Sequence, residues 1–235
     1  SKIIPAYFTG VLGCDGYSAY QTHSAQSRGN VRLAACWAHV RRKFDEAKEA
    51  HPRQAASVLL LIQRLYQIEK HLLSAGVNAK LRQVHRQQHS RMIVQRIGAL
   101  LRRWQARHTF LPQSLMGKAI SYTLTLWPLL QVYLEDGCAH IDNNPVENAI
   151  RPTAVGKKNW LFIGEANAGQ TSAILYTLIE ACRSRRMDPW EYLPDVLTRL
   201  PRTTNQQIDE AMPDAWLKAQ TTNNRSSTRK TAGQC

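Results

Sequence analysis

Apolar residues recur along this chain in two rhythms. "GVLGCDGYSAY" carries a short apolar run, Val11 to Cys14, closed by Asp15 and Gly16. That pattern predicts a short buried strand with a helical turn after it. "VRLAACWAHVRRKFDEAKEA" predicts a second strand, about Val31 to Cys36, running into a helix. Strand, helix and strand in that order predict a right-handed crossover and a parallel pair. Asp15 then stands at a carboxyl end of the sheet, where open α/β sheets place their chemistry.

From Pro52 to about Glu135 the strand signal vanishes and the helical period takes over. "PRQAASVLLLIQRLYQIEKHLLSAG" has its stripe at Leu61, Leu65, Ile68 and Leu72 and stops at Gly76. "KLRQVHRQQHSRMIVQRIGALLRRWQARH" predicts a long basic helix, apolar at Ile93, Ile97, Leu100, Leu101 and Trp104. "SLMGKAISYTLTLWPLLQVYLEDG" predicts a third, bent at Pro128 and stopped by Gly137. The sheet signal returns in "CAHID", Cys138 to Asp142, followed by a helix from Pro145 and the short apolar "NWLFIG". "GQTSAILYTLIEACRSR" predicts a helix with Ile174, Leu175, Leu178 and Ile179 on its core side. "DPWEYLPDVLTRL" predicts another, capped by Asp188 with Pro189 in first position. The pattern therefore describes an α/β fold split by a large all-helical insertion, with a small C-terminal helical region. The expected divisions are 1–50, 51–137, 138–166, 167–215 and a disordered tail over 216–235, which has almost nothing to bury.

Composition sharpens the choice of partner. The 235 residues hold 31 Lys and Arg against 17 Asp and Glu, a formal net charge of +14. Such an excess favours a polyanion, nucleic acid first and an anionic membrane surface second. No apolar run approaches the roughly 20 residues of a membrane span. Five widely spaced cysteines, at 14, 36, 138, 182 and 235, suggest reduced thiols in a cytoplasm and not a disulfide framework. The first residues lack a secretory signal, and they read as the end of a helix, as in a fragment of something longer.

"HIDNNPVENAIRP", His140 to Pro152, is open to two readings. In one, Asn144 caps a helix, Pro145 opens it, and Glu147 reaches back to the Asn144 N–H in a capping box. Arg151 then sits at ion-pair spacing from Glu147. In the other, Glu147 joins Asp15 in a metal site. Hard divalent cations want oxygen ligands, and carboxylates from separate elements converge on two ions in phosphoryl-transfer sites. "CWAH" gives Cys36 and His39 metal-ligand spacing, but no second pair with zinc-finger spacing follows, which favours a structural Cys and a helix-start His. "HVRRKF" offers His39, Arg41, Arg42 and Lys43 either to a DNA path or to solvent. "GKKNW" places Lys157, Lys158 and Trp160 after the predicted helix, a pairing of basic and aromatic residues that suits splayed bases, or in Trp160's case a core. The glycine of "VGKKN" lacks the partners of a phosphate loop. "RQVHRQQHSR" and "RRWQARH" form a basic stripe that suits a DNA backbone or a solvated face.

Taken together and in order, "DGYSAY", "ACWAHVRRKF", "IDNNPVENAIRP" and "VGKKNWLFIG" resemble the catalytic half of the insertion-sequence-66 family of bacterial transposases. The likeness runs from the first residues to about Leu200. It implies part of a ribonuclease-H-like fold with a D-D-E metal triad, interrupted by a helical insertion before the Glu. By motif, the second Asp of that triad is Asp15 and the Glu is Glu147. The family's first Asp lies upstream of anything in this chain. Many relatives carry Arg where this chain has Asn148; Arg151 is then the nearby phosphate-facing base. The Cys-x-x-His of some related transposases implies that His39 orients a scissile phosphate. The implied cofactor is Mg²⁺, with Mn²⁺ as substitute. The implied partners are duplex DNA (transposon ends and target), further copies of the chain on that DNA, and accessory proteins of the same element, with no membrane. The implied activity is metal-dependent 3′-end cleavage and strand transfer, performed in the cytoplasm at the nucleoid. The competing expectation is a non-catalytic DNA-binding remnant; no aromatic RNA-reading motif supports an RNA binder.

Overall fold

The structure, a computed structural model, describes residues 8–15, 20, 22, 24, 30–160 and 164–221. Both predicted strands form: β1 is Gly10–Cys14 and β2 is Val31–Ala35. They pair in parallel with Cys14 opposite Ala35. The connection between them lies mostly outside the described residues, although Tyr20, Thr22 and Ser24 are helical. The chain then forms α1 (Trp37–Glu46), α2 (Pro52–Ser74), α3 (Ala79–His85), a π turn (Arg86–Ser90), α4 (Arg91–Ala106), α5 (Leu115–Thr125) and α6 (Trp127–Glu135). After an irregular stretch come α7 (Asn144–Trp160), α8 (Ala166–Ser184) and α9 (Pro189–Arg199). The described residues are thus mostly helical, with one two-stranded sheet. They divide into two compact units, Ser1–Glu147 and Asn148–Cys235, with the division inside α7.

In the first unit one apolar core joins the sheet to the helices predicted as an insertion. Trp37, Val40 and Phe44 of α1 are fully buried with Val58, Ile62 and Leu65 of α2, Ile97 and Leu101 of α4, and Leu130 of α6. Trp37 anchors this core. Its ring meets Trp127 and Tyr133 edge-on, with centroids 6.3 and 6.5 Å away, and its Nε1–H donates to the Leu130 carbonyl at 3.0 Å. The helix boundaries follow local chemistry. Gly76 takes φ +63° just past α2, a conformation that L side chains resist. Ser114 caps α5 by accepting from the Gly117 N–H at 3.1 Å. The bend expected at Pro128 is a break at Leu126, because Pro128, at the start of α6, has no N–H to carry the ladder on.

Three expectations need correction. "CAHID" is irregular, not a strand. Ala139 and Ile141 are buried, as its alternation requires, but the Asp136 carboxylate takes the Cys138 N–H at 2.8 Å and bends the chain. Trp37 N–H reaches the Ile141 carbonyl at 3.1 Å, a lone link and not a ladder. In α8, Ile174 and Leu175 are exposed rather than core-facing; Cys182 is fully buried instead, with Leu178 partly buried against its cluster. The basic stripe is interrupted as well. Arg86 is 1% exposed, and Arg82 turns inward to the carbonyls of Gly137 and Val77. Arg91, Arg96, Arg102, Arg103 and Arg107 do remain exposed.

Gly137 has a role beyond stopping a helix. A Cβ there would lie 1.7 Å from the Ala79 carbonyl oxygen, so the chain after α6 can pass α3 only without a side chain. Gly137→Ala is expected to destabilise the protein by about 1–3 kcal/mol through overpacking against backbone. A urea midpoint unchanged from wild type would show that the two segments can part without loss.

The second unit has a small core of its own. Tyr192 and Trp216 meet edge-on at 5.6 Å beside Cys182, Met187 and Val196. As expected, Asp188 caps α9, accepting from the Trp190 N–H at 2.9 Å. Arg185 clasps Asp214 through two hydrogen bonds, the Nη2 bond at 2.7 Å. The tail expected to be disordered, apart from the helical residues up to 221, lies outside the described residues.

Candidate active site at the carboxyl end of the parallel strands

Because Cys14 and Ala35 are register partners, the chain leaves β1 at Asp15 and β2 at Cys36 on the same edge. The segment ahead of α7 returns to that edge. The Asn143 N–H donates to Cys36 Sγ at 3.3 Å, and a Cβ on Gly13 would lie 3.9 Å from Asn143 Oδ1. Asp15 is exposed there, and its backbone oxygen accepts from the Tyr122 hydroxyl of α5 at 3.2 Å. Cys36 is buried, and burial pushes its thiol pKa up. A neutral buried thiol that accepts a backbone N–H fits the structural reading of "CWAH".

One turn into α1, His39 Nε2 stands 3.6 Å from Glu147 Oε1. His39 is 23% exposed and Glu147 42%, so the pair sits at a surface. The Nδ1 atom of His39 is buried without a hydrogen-bond partner. At 3.6 Å the Nε2 contact is longer than a hydrogen bond, which leaves the carboxylate open to a better partner.

The capping box does not form. The Asn144 N–H donates to Asp142 Oδ1 at 3.1 Å, and the Asn144 side-chain amide donates to Asp142 Oδ2 at 2.7 Å. Asp142 is two residues back and closes a compact Asx-type turn, so it outcompetes a Glu reaching back from inside the helix. Glu147 is released from the role its local sequence assigned. Asp142 in turn sits beside the Tyr66 hydroxyl of α2, whose pKa is driven far above the usual phenol range, by burial first and by the Asp142 carboxylate second. Tyr66 and Asp142 were not singled out from the sequence. Tyr66 lies next to the apolar stripe of α2, and nothing local announces that its hydroxyl meets a residue from the far side of the insertion.

Beside this edge lies a polar cavity of about 320 Å³, lined by Arg41, Arg42, Asp45, Tyr66 and Asn144. Two of the expected DNA-contacting cations therefore flank it. Lys43 is drawn instead to Glu46, its Nζ 3.5 Å from Oε2. In the second unit, Arg151, Lys157 and Lys158 are exposed on α7; the Trp160 side chain lies outside the described residues.

Among the described residues, no three His, Cys, Asp or Glu side chains group closely enough to enclose a metal ion. Asp15 and Glu147 are nevertheless the donor type that Mg²⁺ takes. It is commonly held by one or two carboxylates, with waters and substrate phosphates completing the shell. Asp142 is committed to Asn144 and is not a third donor. Asp15 and Glu147 are both exposed, so in chemistry and access they suit such an ion.

The chain is 36% identical over 218 residues to uncharacterized protein y4jD of Sinorhizobium fredii (strain NBRC 101917 / NGR234), covering 90% of this chain and 42% of that protein. It is 36% identical over 217 residues to y4qI of the same strain, covering 88% of this chain and 39% of the relative. To y4hP it is 28% identical over 229 residues, covering 91% and 41%. The chain thus spans about two-fifths of the length of these relatives. No solved structure matches it. Residues 2–171 match the family described as Transposase IS66 family, and residues 177–213 match the IS66 C-terminal element. With one family model over most of its length and the companion element directly after it, this chain belongs to the IS66 family of transposases.

Proposed function

We propose that this chain is part of the catalytic domain of a DNA transposase that cleaves the 3′ ends of an insertion sequence and transfers them to target DNA. The observation that supports the reading is that Glu147, left out of the helix cap, stands 3.6 Å from His39, whose helix follows β2 at the strand edge where Asp15 ends β1. The two strands and α7 are assigned to a ribonuclease-H-like core, the helices of 51–137 to an insertion in it, and 167–215 to a C-terminal region. Asp15 and Glu147 hold Mg²⁺, or Mn²⁺ in its place. A divalent ion held by Asp15 and Glu147 would supply Lewis acidity for in-line displacement at phosphorus. His39 faces Glu147 and orients the scissile phosphate. Arg41 and Arg42, with Arg151, Lys157, Lys158 and Trp160, contact the DNA; Lys43 joins them when it leaves Glu46. The surplus of basic residues adds sequence-independent affinity that salt weakens steeply. Copies of the chain assemble on the DNA, together with accessory proteins of the element.

A non-catalytic DNA-binding remnant is the second reading, and the lack of a third metal-binding side chain among the described residues favours it. Nicking of supercoiled DNA in Mg²⁺ and in Mn²⁺, with binding measured across a salt series, separates the two. Divalent-dependent nicking that EDTA abolishes is the expected result. Salt-sensitive binding with no nicking in either metal would establish the remnant.

A further inference from the structure

A second cavity, of about 450 Å³, lies in the helical insertion and shares no lining residue with the polar cavity beside Tyr66 and Asn144. Its lining includes Trp104, Phe110 and Tyr122, with His108, Lys118 and Ser121. Each of the three aromatic rings is only partly buried. Phe110 is braced edge-on by Trp104, with centroids 5.5 Å apart, and by His51 at 4.9 Å. These contacts hold the Phe110 ring against α4. Gly117 is required in the lining, because a Cβ there would lie 2.2 Å from the Leu111 carbonyl oxygen.

Two details point to a ligand of defined chemistry. His108 ends α4 in the left-handed region, φ 47°, with its N–H donating to the Gln105 carbonyl and that of Thr109 to Trp104. Glycine is the usual residue for such a helix end, and a histidine there carries a conformational cost. His108 adds a hydrogen-bonding imidazole to a lining that also holds Trp104, Phe110 and Tyr122. Lys118 is exposed on the same lining and supplies a cation. Tyr122 connects this cavity to the strand edge: its ring lines the cavity while its hydroxyl donates to the backbone oxygen of Asp15 at 3.2 Å.

We propose that this aromatic cavity receives an unpaired nucleobase of the DNA, extruded next to the strand held at Asp15. Flat π surfaces, a hydrogen-bonding imidazole and one cation suit a base with its attached phosphate. The volume lies within the range of about 300–1,000 Å³ typical of small-ligand sites. Seating a base here fixes the strand against Tyr122, and so relative to Asp15. The proposal rests on the transposase reading, since it takes DNA to be the substrate.

The test compares fluorescence anisotropy for three probes of one arbitrary duplex sequence: blunt, carrying a three-nucleotide thymine overhang, and carrying an overhang of three abasic residues. The overhang should tighten binding by about tenfold over the blunt duplex, and the abasic overhang should lose that gain. Ser121→Trp, which fills the cavity from an exposed position, should bring the ratio of overhang to blunt affinity close to one. Phe110→Ala should do the same, and a thermal melt reports whether its core survives. An overhang no better than blunt DNA overturns the cavity proposal, as does a preference that survives Ser121→Trp in a folded protein. In both cases salt-sensitive duplex binding and divalent-dependent nicking leave the transposase reading standing. Failure to bind any of the three probes overturns both.

Discussion

Glu147→Gln is expected to remove Mn²⁺ binding at the strand edge and to lower divalent-dependent nicking by about a thousandfold or more. The substitution keeps the size of the side chain and an oxygen that can still face His39. What it removes is the negative charge, which a hard cation needs and a helix cap does not. Loss of the several kcal/mol of transition-state stabilisation that a bound divalent ion supplies corresponds to at least three powers of ten in rate. DNA affinity should hold or rise slightly, because one carboxylate fewer faces the phosphates. Electron paramagnetic resonance of free Mn²⁺ reads the binding directly, whatever the chain's own turnover. Asp15→Asn should give the same loss. If Mn²⁺ binding survives both substitutions, the carboxylates serve the fold, and the 3.6 Å contact of Glu147 with His39 is its purpose.

The contrast between those two fates of Glu147 also marks what was legible in the chain. Both strands, the helices and several stops could be read from periodicity and turn chemistry, because each depends on residues within a few positions. Val31, Leu33, Ala34 and Ala35 are buried with Arg32 exposed, the short apolar run that the sequence offered as a strand. The strand expected at "CAHID" was misread because burial of Ala139 and Ile141 mimics a strand. Whether a ladder forms depends on neighbours that the Asp136 turn diverts. The site was legible as motifs but not as geometry. Local sequence favoured a capping box at Asn144, and only the fold shows Asp142 taking that N–H and His39 arriving from another helix. Tyr66, Asp142 and the aromatic cavity around Phe110 left no local signal, since each depends on helices brought together across the insertion.

Arg86 is the clearest case of a residue whose role inverts on folding, and Glu69→Ala is expected to cost about 3–5 kcal/mol of stability for that reason. Read in sequence, Arg86 is one more cation in a DNA-facing stripe. In the structure it is 1% exposed and meets Glu69 through two hydrogen bonds, at 2.8 and 2.7 Å. Its remaining donor reach goes to the carbonyls of Tyr133 and Asp136, at 2.9 and 2.8 Å. The π turn at Arg86–Ser90 belongs to this arrangement, with both of its end residues buried between α3 and α4. Removing Glu69 strands a guanidinium in the core with no counter-charge. Replacing both partners by leucine should recover only part of the loss, because the two carbonyls then lack their donor, at about 1–3 kcal/mol each. Glu46→Ala is the surface comparison: it breaks the exposed Lys43 pair and should shift stability by at most about 1 kcal/mol. Urea unfolding with an unchanged m-value reads all three. A Glu69→Ala shift no larger than that of Glu46→Ala would mean that water reaches Arg86. The clamp ties α2 and the π turn to the end of α6, immediately before the segment that carries Asp142, Asn143 and Glu147 to the strand edge. Its loss should therefore loosen the site as well as the core, and nicking should fall in Glu69→Ala at temperatures where the protein is still folded.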